Sequence, residues 1–584
     1  MGIVLFKACP VVYYTRKLGL GMGKESIIQQ QRRWSGANRH DCIAPNGMVA
    51  SKHPLISEVG VKIMKKGGNA VDAAVASAFM DTVVEPAMNG IGGEGVMTIH
   101  LETGENIVID YVGRPSENCT PDMYEPEEVI ESGWMGWYKV KDDANVVGYK
   151  ACVIPGIVAG LSHALENYGT MKLKDVIEPA VKVADEGFTV GWWTAGHILN
   201  RMEAFWKFDE WRKVYLRDGK FPYLPYSYGM ANPHILRNPE VAVCLRDISR
   251  EGPEVFYKSW IAKTIAEDMA KNDGLLTEED FAAYEPIIVE PDPGAYRGYE
   301  VVYDPTHSGT TMMQILNIME GYDLEEAGFG SAEALHIASE AIGLAFADRF
   351  KYMGDPGYVD VPQKGMVSKE YAEKLREKIS PDKALKIEPD DPWPFEPECT
   401  TALTTADKAG NMVSVNQTLV NSFGSGIVIP GTGIVMNNAM YGLNPEPGTA
   451  NSIDGRKRRI QNVCPTIVLD DGKGYMALGA PGGRNIQVSV AMAIHHVIDF
   501  GMGIQDAVDC PRVTRETGTV FLDSRFPHSV RDQLVAMGHD INYIDPELKG
   551  WGRPVGVLKN RETGMLHGGV YSLLTGFEST AVGC

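Results

Sequence analysis

Apolar residues recur at helical spacing in two neighbouring stretches near the start of the chain. They cover residues 57–66 and 70–84, and Lys-Gly-Gly-Asn at 66–69 separates them. This pattern predicts a helix with a glycine-supported C-cap, followed by a second helix. Alanine and other apolar residues leave the second stretch almost no polar face, so we expect that helix to be buried.

Alternating apolar positions predict strands at 96–101 and 107–111, joined into a hairpin by a turn at Thr103-Gly104. Further helices are expected at 155–164 and 331–350. The second half is rich in strands first, at 401–406, 411–416, 465–469 and 474–479, and then helical at 486–500. The chain therefore mixes helices and strands along its whole length.

Composition and charge narrow the classes of function. The chain has 584 residues, with 44% apolar and 22% charged residues, which is ordinary for a globular protein with an extensive core. A formal charge of −21 argues against general affinity for nucleic acids or anionic membranes. No apolar run approaches the ~18–20 residues that cross a bilayer. We expect neither a nucleic-acid nor a membrane partner.

Cysteine usage and the N-terminus bear on location. The nine cysteines are scattered and form no C-x-x-C pair, which is typical of thiols in a reducing compartment. The first forty residues are basic, but charges at positions 7, 16 and 17 interrupt any signal-peptide core. We expect a cytoplasmic protein in which 1–45 is a disordered tail or an overlong start, and the basic segment leaves export open.

A candidate nucleophile lies in the stretch that reads C-T-T-A-L-T-T-A-D-K-A-G-N from Cys399 to Asn411. The preceding residues, 388–398, are rich in proline and acidic residues and indicate an exposed connector. A threonine hydroxyl is a poor nucleophile without a base beside it, and a cut before Thr400 would supply its own α-amine. Thr400 and Thr401 as ordinary strand residues are the alternative.

Two glycine-rich stretches carry different predictions. Ala480-Pro481-Gly482-Gly483 offers bare backbone amides that suit a developing oxyanion. The stretch 90–95 fits a dinucleotide-binding pattern by letter, yet a helix precedes it where such sites need a strand. We interpret it as a tight turn that borders the active site. A serine triad lacks support, because no G-x-S-x-G elbow occurs.

Other clusters have plainer explanations. His495-His496 with Asp499, and His336 with Glu340, resemble metal ligands only in part, because adjacent histidines on a helix point about 100° apart. We expect ordinary core or surface histidines there, and no metal. The run 456–459 predicts a solvated basic loop, or alternatively a guide for an anionic substrate. The aromatic residues of 189–232 indicate a core or subunit contact, or alternatively a pocket lining.

From about Gly47 almost to its end, the chain resembles the γ-glutamyltranspeptidase family of N-terminal-nucleophile hydrolases. The ordered matches that carry this resemblance are Met48-Val-Ala-Ser-Lys-His-Pro-Leu, Gly67-Gly-Asn-Ala-Val-Asp-Ala-Ala, Ile91-Gly-Gly-Glu-Gly, Val153-Ile-Pro-Gly-Ile-Val-Ala-Gly-Leu, Leu276-Thr-Glu-Glu-Asp-Phe, Gln314-Ile-Leu-Asn-Ile, Ala345-Phe-Ala-Asp-Arg, Thr400-Thr401, Cys464-Pro-Thr-Ile-Val and Pro481-Gly-Gly.

The resemblance implies an α/β (α+β) protein, a four-layer αββα sandwich made as one precursor. That precursor would cut itself between Cys399 and Thr400 into interleaved large (46–399) and small (400–584) segments. Thr400 would be nucleophile and, through its α-amine, base. Thr418 would hydrogen-bond the nucleophile, and Gly482 and Gly483 would form the oxyanion hole. No cofactor is implied, and Thr401 is the runner-up nucleophile.

The family's γ-glutamyl pocket carries over poorly. The positions that usually hold a serine pair are Gln461 and Asn462, and those that meet the substrate ammonium are Val420 and Gly442. A buried ammonium without its acid costs several kcal/mol, so a standard γ-glutamyl donor is disfavoured. The substrate-binding candidates are Arg114, Asn421, Gln461, Asn462 and Arg484.

The sequence thus predicts an N-terminal-threonine amidohydrolase or acyltransferase for a small, non-glutamyl amide, with an anionic acyl group as one option. Relatives such as oxamate amidohydrolase and cephalosporin-type acylases are of this kind. A true glutathione hydrolase/γ-glutamyltransferase with a rearranged pocket is one alternative. A silent binding or scaffold relative, which would stay uncut, is another. The two segments are each other's partners, and assembly into a homo-oligomer is left open.

Overall fold

Two seven-stranded sheets form the centre of the protein. The computed structural model describes residues 41–132, 135–225, 234–387, 400–516, 518–546, 551–573 and 578–584. Residues 1–40 of the predicted tail, the whole predicted connector at 388–398 and Cys399 therefore lie outside the described residues. Within the predicted tail, residues 42–44 form a strand, so ordered structure begins earlier than the expected boundary at 46.

The strands follow in chain order, and the short pairs among them lie outside the two large sheets. They are β1 (Cys42–Ala44), β2 (Gly47–Ser51), β3 (Glu94–His100), β4 (Asn106–Tyr111), β5 (Pro126–Ser132), β6 (Met135–Val140), β7 (Phe188–Thr189), β8 (Leu216–Arg217), β9 (Phe221–Pro222), β10 (Ile235–Leu236), β11 (Ile287–Val289), β12 (Gly294–Tyr296), β13 (Tyr299–Val302), β14 (Thr401–Asp407), β15 (Met412–Thr418), β16 (Val428–Ile429), β17 (Ile434–Val435), β18 (Thr466–Asp470), β19 (Lys473–Gly479), β20 (Val513–Arg515), β21 (Thr519–Asp523), β22 (Asp540–Ile544), β23 (Val555–Lys559), β24 (Leu566–Val570) and β25 (Thr580–Gly583).

The helices cluster on the outer faces of the sheets. They are α1 (Pro54–Lys65), α2 (Ala70–Val84), α3 (Ile157–Tyr168), α4 (Leu173–Glu186), α5 (Trp192–Phe205), α6 (Asp209–Tyr215), α7 (Pro239–Glu251), α8 (Glu254–Tyr257), α9 (Trp260–Lys271), α10 (Glu278–Ala282), α11 (Ser308–Met319), α12 (Leu324–Ala327), α13 (Ala332–Tyr352), α14 (Gln363–Met366), α15 (Lys369–Arg376), α16 (Asn485–Phe500), α17 (Ile504–Asp509) and α18 (His528–Ala536), with short 3₁₀ turns at Lys141–Asp143, Tyr149–Ala151 and Ala439–Gly442. None of the helices in the described ranges is long and apolar enough to cross a membrane.

Both large sheets are antiparallel throughout and stack face to face. The first has the order β1-β24-β23-β19-β18-β13-β12, and the second β11-β4-β3-β15-β14-β2-β25. Their inner faces share a core of small and branched side chains that includes Ala402, Met412, Ala477 and Val557. Helices α1, α2 and α3 cover the outside of the second sheet, and α11, α16 and α17 cover the first. This arrangement is the predicted αββα sandwich.

The segments before and after residue 400 share both sheets. In the second sheet, β14 and β15 lie between β2 and β3, although more than 300 residues separate β2 from β14 in sequence. The order of the sheet therefore interleaves the two segments, as the resemblance implied. The cut between them remains a prediction.

The predicted helices and hairpins are present, with small shifts at their ends. Asn69 and Asp72 form a capping box that starts α2, and every residue of that helix is buried. Gly67 ends the preceding helix with a φ of +98°, a conformation that glycine adopts without a steric penalty. The hairpin of β3 and β4 turns at Gly104, where φ is +92°. These outcomes confirm the hydrophobic pattern.

Candidate active site

Thr400 lies immediately before β14, in the middle of the second sheet. Only 6% of the residue is exposed, and its carbonyl oxygen accepts a hydrogen bond from Nζ of Lys52 over 3.3 Å. In the ladder of β14 and β15, Thr401 pairs with Gln417. Extended by one residue, that register sets Thr400 opposite Thr418, which the resemblance names as its partner.

The side chain of Thr401 is hydrogen-bonded to helix α2. Its hydroxyl donates to a carboxylate oxygen of Asp81 over 3.1 Å, and Asn89 donates to the other oxygen over 2.9 Å. Burial of the Asp81 carboxyl, together with the nearby Glu85, raises its pKa to about 8, although Lys52 acts in the opposite direction. The hydroxyl of Thr401 is thus engaged with α2.

Thr418 ends β15 and borders the glycine-rich turn that joins α2 to β3. Its hydroxyl oxygen accepts a hydrogen bond from the backbone nitrogen of Val420 over 2.8 Å. A Cβ on Gly93 would lie 2.5 Å from the carbonyl oxygen of Thr418, so only glycine fits there. The turn therefore contacts the Thr418 backbone directly.

Gly482 and Gly483 form the turn that leads from β19 into α16. Their φ angles are +137° and +53°, and a Cβ on Gly482 would lie 2.5 Å from the Cα of Gly552. Their carbonyls accept hydrogen bonds from Asn485 and Ile486, at the start of α16. Among the described residues, neither glycine's own N–H has a hydrogen-bond partner. Two donors at a helix N-terminus suit a developing negative charge.

One side chain connects this turn to the strand of the candidate nucleophile. Nδ2 of Asn416, on β15, donates to the carbonyl oxygen of Thr401 over 3.2 Å and to that of Ala480 over 2.7 Å. Asn416 is fully buried, so these bonds form away from water. The start of β14 and the Pro-Gly-Gly turn are therefore joined across the two sheets.

Several charged and aromatic groups surround Lys52. Its ammonium lies 3.8 Å from a carboxylate oxygen of Glu85 and 5.3 Å from the centre of the Trp193 ring. The guanidinium of Arg553 lies 4.7 Å from the same ring centre, and the Arg553 backbone nitrogen donates to the carbonyl of Pro481. Burial raises the pKa of the Glu85 carboxyl despite Lys52 beside it. Lys52 thus lies next to the backbone of Thr400, and Arg553 lies next to the backbone of the Pro-Gly-Gly turn.

His197 completes this surrounding from α5. One ring nitrogen lies 2.9 Å from the hydroxyl of Ser422, and the ring packs edge-on against Trp193 with 4.4 Å between centres. Burial, together with Lys52 and Arg553, lowers the His197 pKa to about 3. The imidazole is therefore neutral near pH 7.

The aromatic stretch at 189–232 does not lie in one environment. Trp211 belongs to the core, Trp192 is 62% exposed, and Tyr226 lies outside the described residues.

Gln461 and Asn462, two of the substrate-binding candidates, lie in a buried polar network. The Gln461 amide donates to Glu94, and the Asn462 side-chain oxygen accepts from Arg349 over 2.9 Å. Glu94 also accepts from Arg459 over 2.6 Å. Both candidates therefore use side-chain hydrogen bonds in contacts within the protein.

The other candidates lie in three different environments. Arg114 is partly exposed, and its guanidinium lies 5.9 Å from the centre of the Tyr284 ring. Arg484 is buried and pairs with Glu516 over 2.7 Å. Asn421 is buried too, and its side-chain oxygen has no hydrogen-bond partner within the described ranges. Each of these three candidates thus has a different set of neighbours, and their role in substrate binding remains a prediction.

The basic run at 456–459 is mostly neither solvated nor free to guide a substrate. Arg458 is buried and pairs with Asp110 and Asp355, and Arg459 pairs with Glu94. Arg456 alone is well exposed. Both sequence interpretations are wrong for the two buried arginines, because their acidic partners come from distant parts of the chain.

The histidine clusters are parts of buried networks. His336 bonds to His539 over 2.7 Å and to the carbonyl of Ser380, while Glu340 pairs with Arg515 over 2.9 Å. Although His336, Glu340 and His539 lie close enough to share an ion, each already has a partner in the protein. His495 pairs with Asp499 over 2.7 Å. These contacts agree with ordinary core histidines.

Sequence reasoning missed three residues near Thr400. Lys52 stands within a matched stretch, but nothing in the sequence assigned it to the site. Asp81 carried a usable signal, since it is a lone acid near the end of a helix with almost no polar face. Trp193 was included only in the broad aromatic stretch.

Antiparallel sheets between helical layers, with a threonine at the head of a central strand, define the N-terminal-nucleophile hydrolase class. The sequence model of the gamma-glutamyltranspeptidase family matches residues 56–569. The chain belongs to that family.

Similar proteins include both acylases and glutathione hydrolases. An acylase ACY 1 proenzyme of Pseudomonas sp. (strain SE83) is 38% identical over 503 residues, covering 85% of this chain and 87% of its own. A glutathione hydrolase proenzyme of Escherichia coli (strain K12) is 36% identical over 489 residues, covering 81% of each. The solved cephalosporin acylase of Bacillus halodurans is 28% identical with a TM-score of 0.83, covering 97% of this chain and 99% of its own.

Proposed function

We propose that the protein is a self-processing amidohydrolase or acyltransferase with Thr400 as its nucleophile. The observation that carries this proposal is the position of Thr400 at the head of central strand β14, tied by Asn416 to a turn with two unpartnered amides among the described residues. The proenzyme names of the relatives support a chain that is cut to become active. Thr401 is disfavoured as nucleophile because its hydroxyl already donates to Asp81.

Self-processing would use the same hydroxyl as catalysis. Oγ of Thr400 attacks the carbonyl carbon of Cys399, the peptide C–N bond breaks, and an ester links the two segments. Water then hydrolyses that ester, leaving a carboxylate on Cys399 and a free α-amine on Thr400. The cut thereby creates the base that the poor nucleophile requires.

Turnover would follow an acyl-enzyme route. The neutral α-amine of Thr400 takes the hydroxyl proton while Oγ attacks the substrate amide, and the amides of Gly482 and Gly483 donate to the oxyanion. The C–N bond breaks as the amine passes that proton to the leaving nitrogen. Water, or an acceptor amine, then attacks the ester, and the acyl group leaves as an acid or a new amide.

The acyl group is proposed to lack an α-ammonium. The position that would meet an ammonium through an amide is Val420, and the position that would supply an acid is Gly442. Both are unable to pair with a charge, so a buried ammonium would lose its hydration without compensation. An uncharged or anionic acyl group avoids that cost.

A matched pair of substrates tests this specificity. Glutaryl-p-nitroanilide and γ-glutamyl-p-nitroanilide differ by one amino group, and we expect kcat/KM at least ~10-fold higher for the glutaryl compound, since losing a buried ion's partner costs several kcal/mol. The reverse preference would establish the main alternative, a glutathione hydrolase, which the Escherichia coli relative favours.

Intact mass and N-terminal sequencing test the nucleophile. We expect two chains, the smaller beginning Thr-Thr-Ala-Leu, and a folded but uncut and inactive Thr400→Ala variant. Thr401→Val is the matched control and should still be cut. A small chain that begins Thr-Ala-Leu would move the assignment to Thr401. An uncut wild-type chain would instead support the silent scaffold alternative.

A further inference from the structure

Lys52 is buried beside the candidate nucleophile, and the mechanism proposed above gives it no role. The residue follows β2, which pairs directly with β14, and only 1% of it is exposed. Its ammonium donates to the carbonyl oxygen of Thr400 over 3.3 Å. A lysine so deeply buried is rare, because its charge loses hydration that contacts must replace.

Contacts with the protein replace that hydration, and they also restrict where the ammonium can lie. They include the Thr400 carbonyl, the Glu85 carboxyl at 3.8 Å and the Trp193 ring at 5.3 Å. A cation over an aromatic face and a cation beside a carbonyl are both favourable in a site that excludes water. Lys52 is therefore fixed with respect to the Thr400 backbone.

The geometry sets an upper limit on the separation of two amines. Within one residue the backbone nitrogen and carbonyl oxygen are about 3 to 3.6 Å apart, so Nζ of Lys52 lies within about 7 Å of the Thr400 nitrogen. At this distance in a buried site, a positive charge disfavours a second positive charge. The α-amine can act as a base only when it is neutral.

We propose that Lys52, held against the Thr400 backbone, is a positioning residue that favours the neutral form of the Thr400 α-amine. This inference rests on the proposed function, because the α-amine exists only after the cut before Thr400. Lys52 does not contact the hydroxyl or the substrate carbonyl in this role. It acts through the charge state of the neighbouring base.

The other charged groups around the site shift the same equilibrium. Asp81 and Glu85 on α2 would favour the protonated amine as anions, but burial raises the pKa of both carboxyls and so reduces their charge. From α5, His197 faces the site as a neutral ring. Arg553, before β23, adds a second positive charge and acts in the same direction as Lys52.

One further pair faces the site from the ends of the chain. His53, next to Lys52, lies 3.0 Å from the carboxylate of Glu578. The two groups compensate each other when both are charged. Among the groups that the structure describes, Lys52 is the one that contacts the Thr400 backbone directly, so its removal should have the largest effect on the amine.

The first test is the pH dependence of kcat/KM for processed Lys52→Met. We expect the acid limb of the profile to move up by about one pH unit or more, with about a tenfold loss at low pH and near-wild-type activity at pH 9. Lys66→Met, which removes an exposed lysine, is the matched control and should leave the limb in place. An unmoved limb in Lys52→Met, or an equal loss at every pH, would overturn the proposal.

A second measurement needs no variant. Trace acetylation of the wild-type small chain with acetic anhydride at several pH values reports how much of the Thr400 α-amine is neutral. We expect a midpoint below the ordinary α-amine range of about 7.7–8.0. A midpoint in or above that range overturns the inference.

The two proposals fail differently. If mass spectrometry shows an uncut chain, the α-amine does not exist and the proposed function itself fails. If the chain is cut before Thr400 and turns over an amide while both titrations are ordinary, the role of Lys52 alone fails.

Discussion

The hydroxyl of Thr401 donates a hydrogen bond to the carboxylate of Asp81 over 3.1 Å, which links the first residue of β14 to the buried helix α2. Asn89 donates to the second oxygen of the same carboxylate. The strand that starts at the proposed cut is therefore anchored by a side chain whose charge depends on pH.

Asp81→Asn should change how stability depends on pH. The folded-state pKa of this carboxyl is raised to about 8, above the ordinary value near 3.9, so the folded protein binds the extra proton between these limits. That contribution is present at low pH and is lost as pH rises toward 8.

We therefore expect the variant to gain on the wild type between pH 5 and pH 8, by on the order of 2 kcal/mol or more, and the gain to level off above that. Apparent thermal midpoints at pH 5, 6.5 and 8.5 measure it, with Asp532→Asn as the control for an exposed carboxylate. Parallel curves for wild type and Asp81→Asn would show that this carboxyl does not titrate in the range.

Asn416→Ala should uncouple the nucleophile strand from the Pro-Gly-Gly turn. The variant loses both bonds that its amide donates, so we expect kcat to fall ~10- to 100-fold through misalignment of the oxyanion donors. The matched control is Ser414→Ala, because Ser414 on the same strand bonds across the sheets to Leu478 over 2.6 Å. Equal losses of activity in both variants would indicate a general effect of weaker sheet packing.

Gly482→Ala should slow processing and turnover severely. The added methyl group would lie 2.5 Å from the Cα of Gly552 at a φ of +137°, so the turn must move. Displacing one oxyanion donor typically costs ~10²–10³ in rate.

Gly472→Ala separates backbone strain from this clash. Its φ is +71° and its Cβ would meet open space, so it should cost about 1–3 kcal/mol of stability while leaving kcat/KM unchanged. Normal cutting of Gly482→Ala, followed by normal turnover, would contradict the assignment of this turn.

Arg458→Met should destabilise the fold strongly, because it leaves the carboxylates of Asp110 and Asp355 buried without their partner. Breaking a buried ion pair costs about 3–5 kcal/mol. Arg456→Met, in the same basic run, is the matched control. It removes an exposed ion pair with Glu117 and should cost less than about 1 kcal/mol of stability. A raised KM with an unchanged thermal midpoint in Arg458→Met would restore the substrate-guiding interpretation.

The sequence was sufficient to predict where the main helices and strands lie and that the protein mixes the two. Helix α2 was predictable because its alanines and capping box act within a few residues of one another. The strands β14, β15, β18 and β19 lie at four positions where the sequence predicted strands. Their arrangement in two stacked sheets came from the family resemblance, since order within a sheet depends on contacts far apart in the chain.

The environment of the charged side chains was not predictable from local sequence. Arg458 and Arg484 are buried because acids more than thirty residues away face them, and no spacing rule connects Arg484 with Glu516. Lys52 was missed for the same reason, since its partner carbonyl belongs to Thr400, 348 positions later.

The central position of β14 has a consequence for the order of events in biosynthesis. Its neighbours β2 and β15 come from opposite sides of the proposed cut, so the strand can be hydrogen-bonded on both edges only after the chain has been made through residue 418 and β2, β14 and β15 have paired. A fragment released earlier would have to thread its first residues into the middle of a finished sheet. Folding would then determine when activation can occur, because the reactive N-terminus would form only after the neighbouring strands have paired with β14.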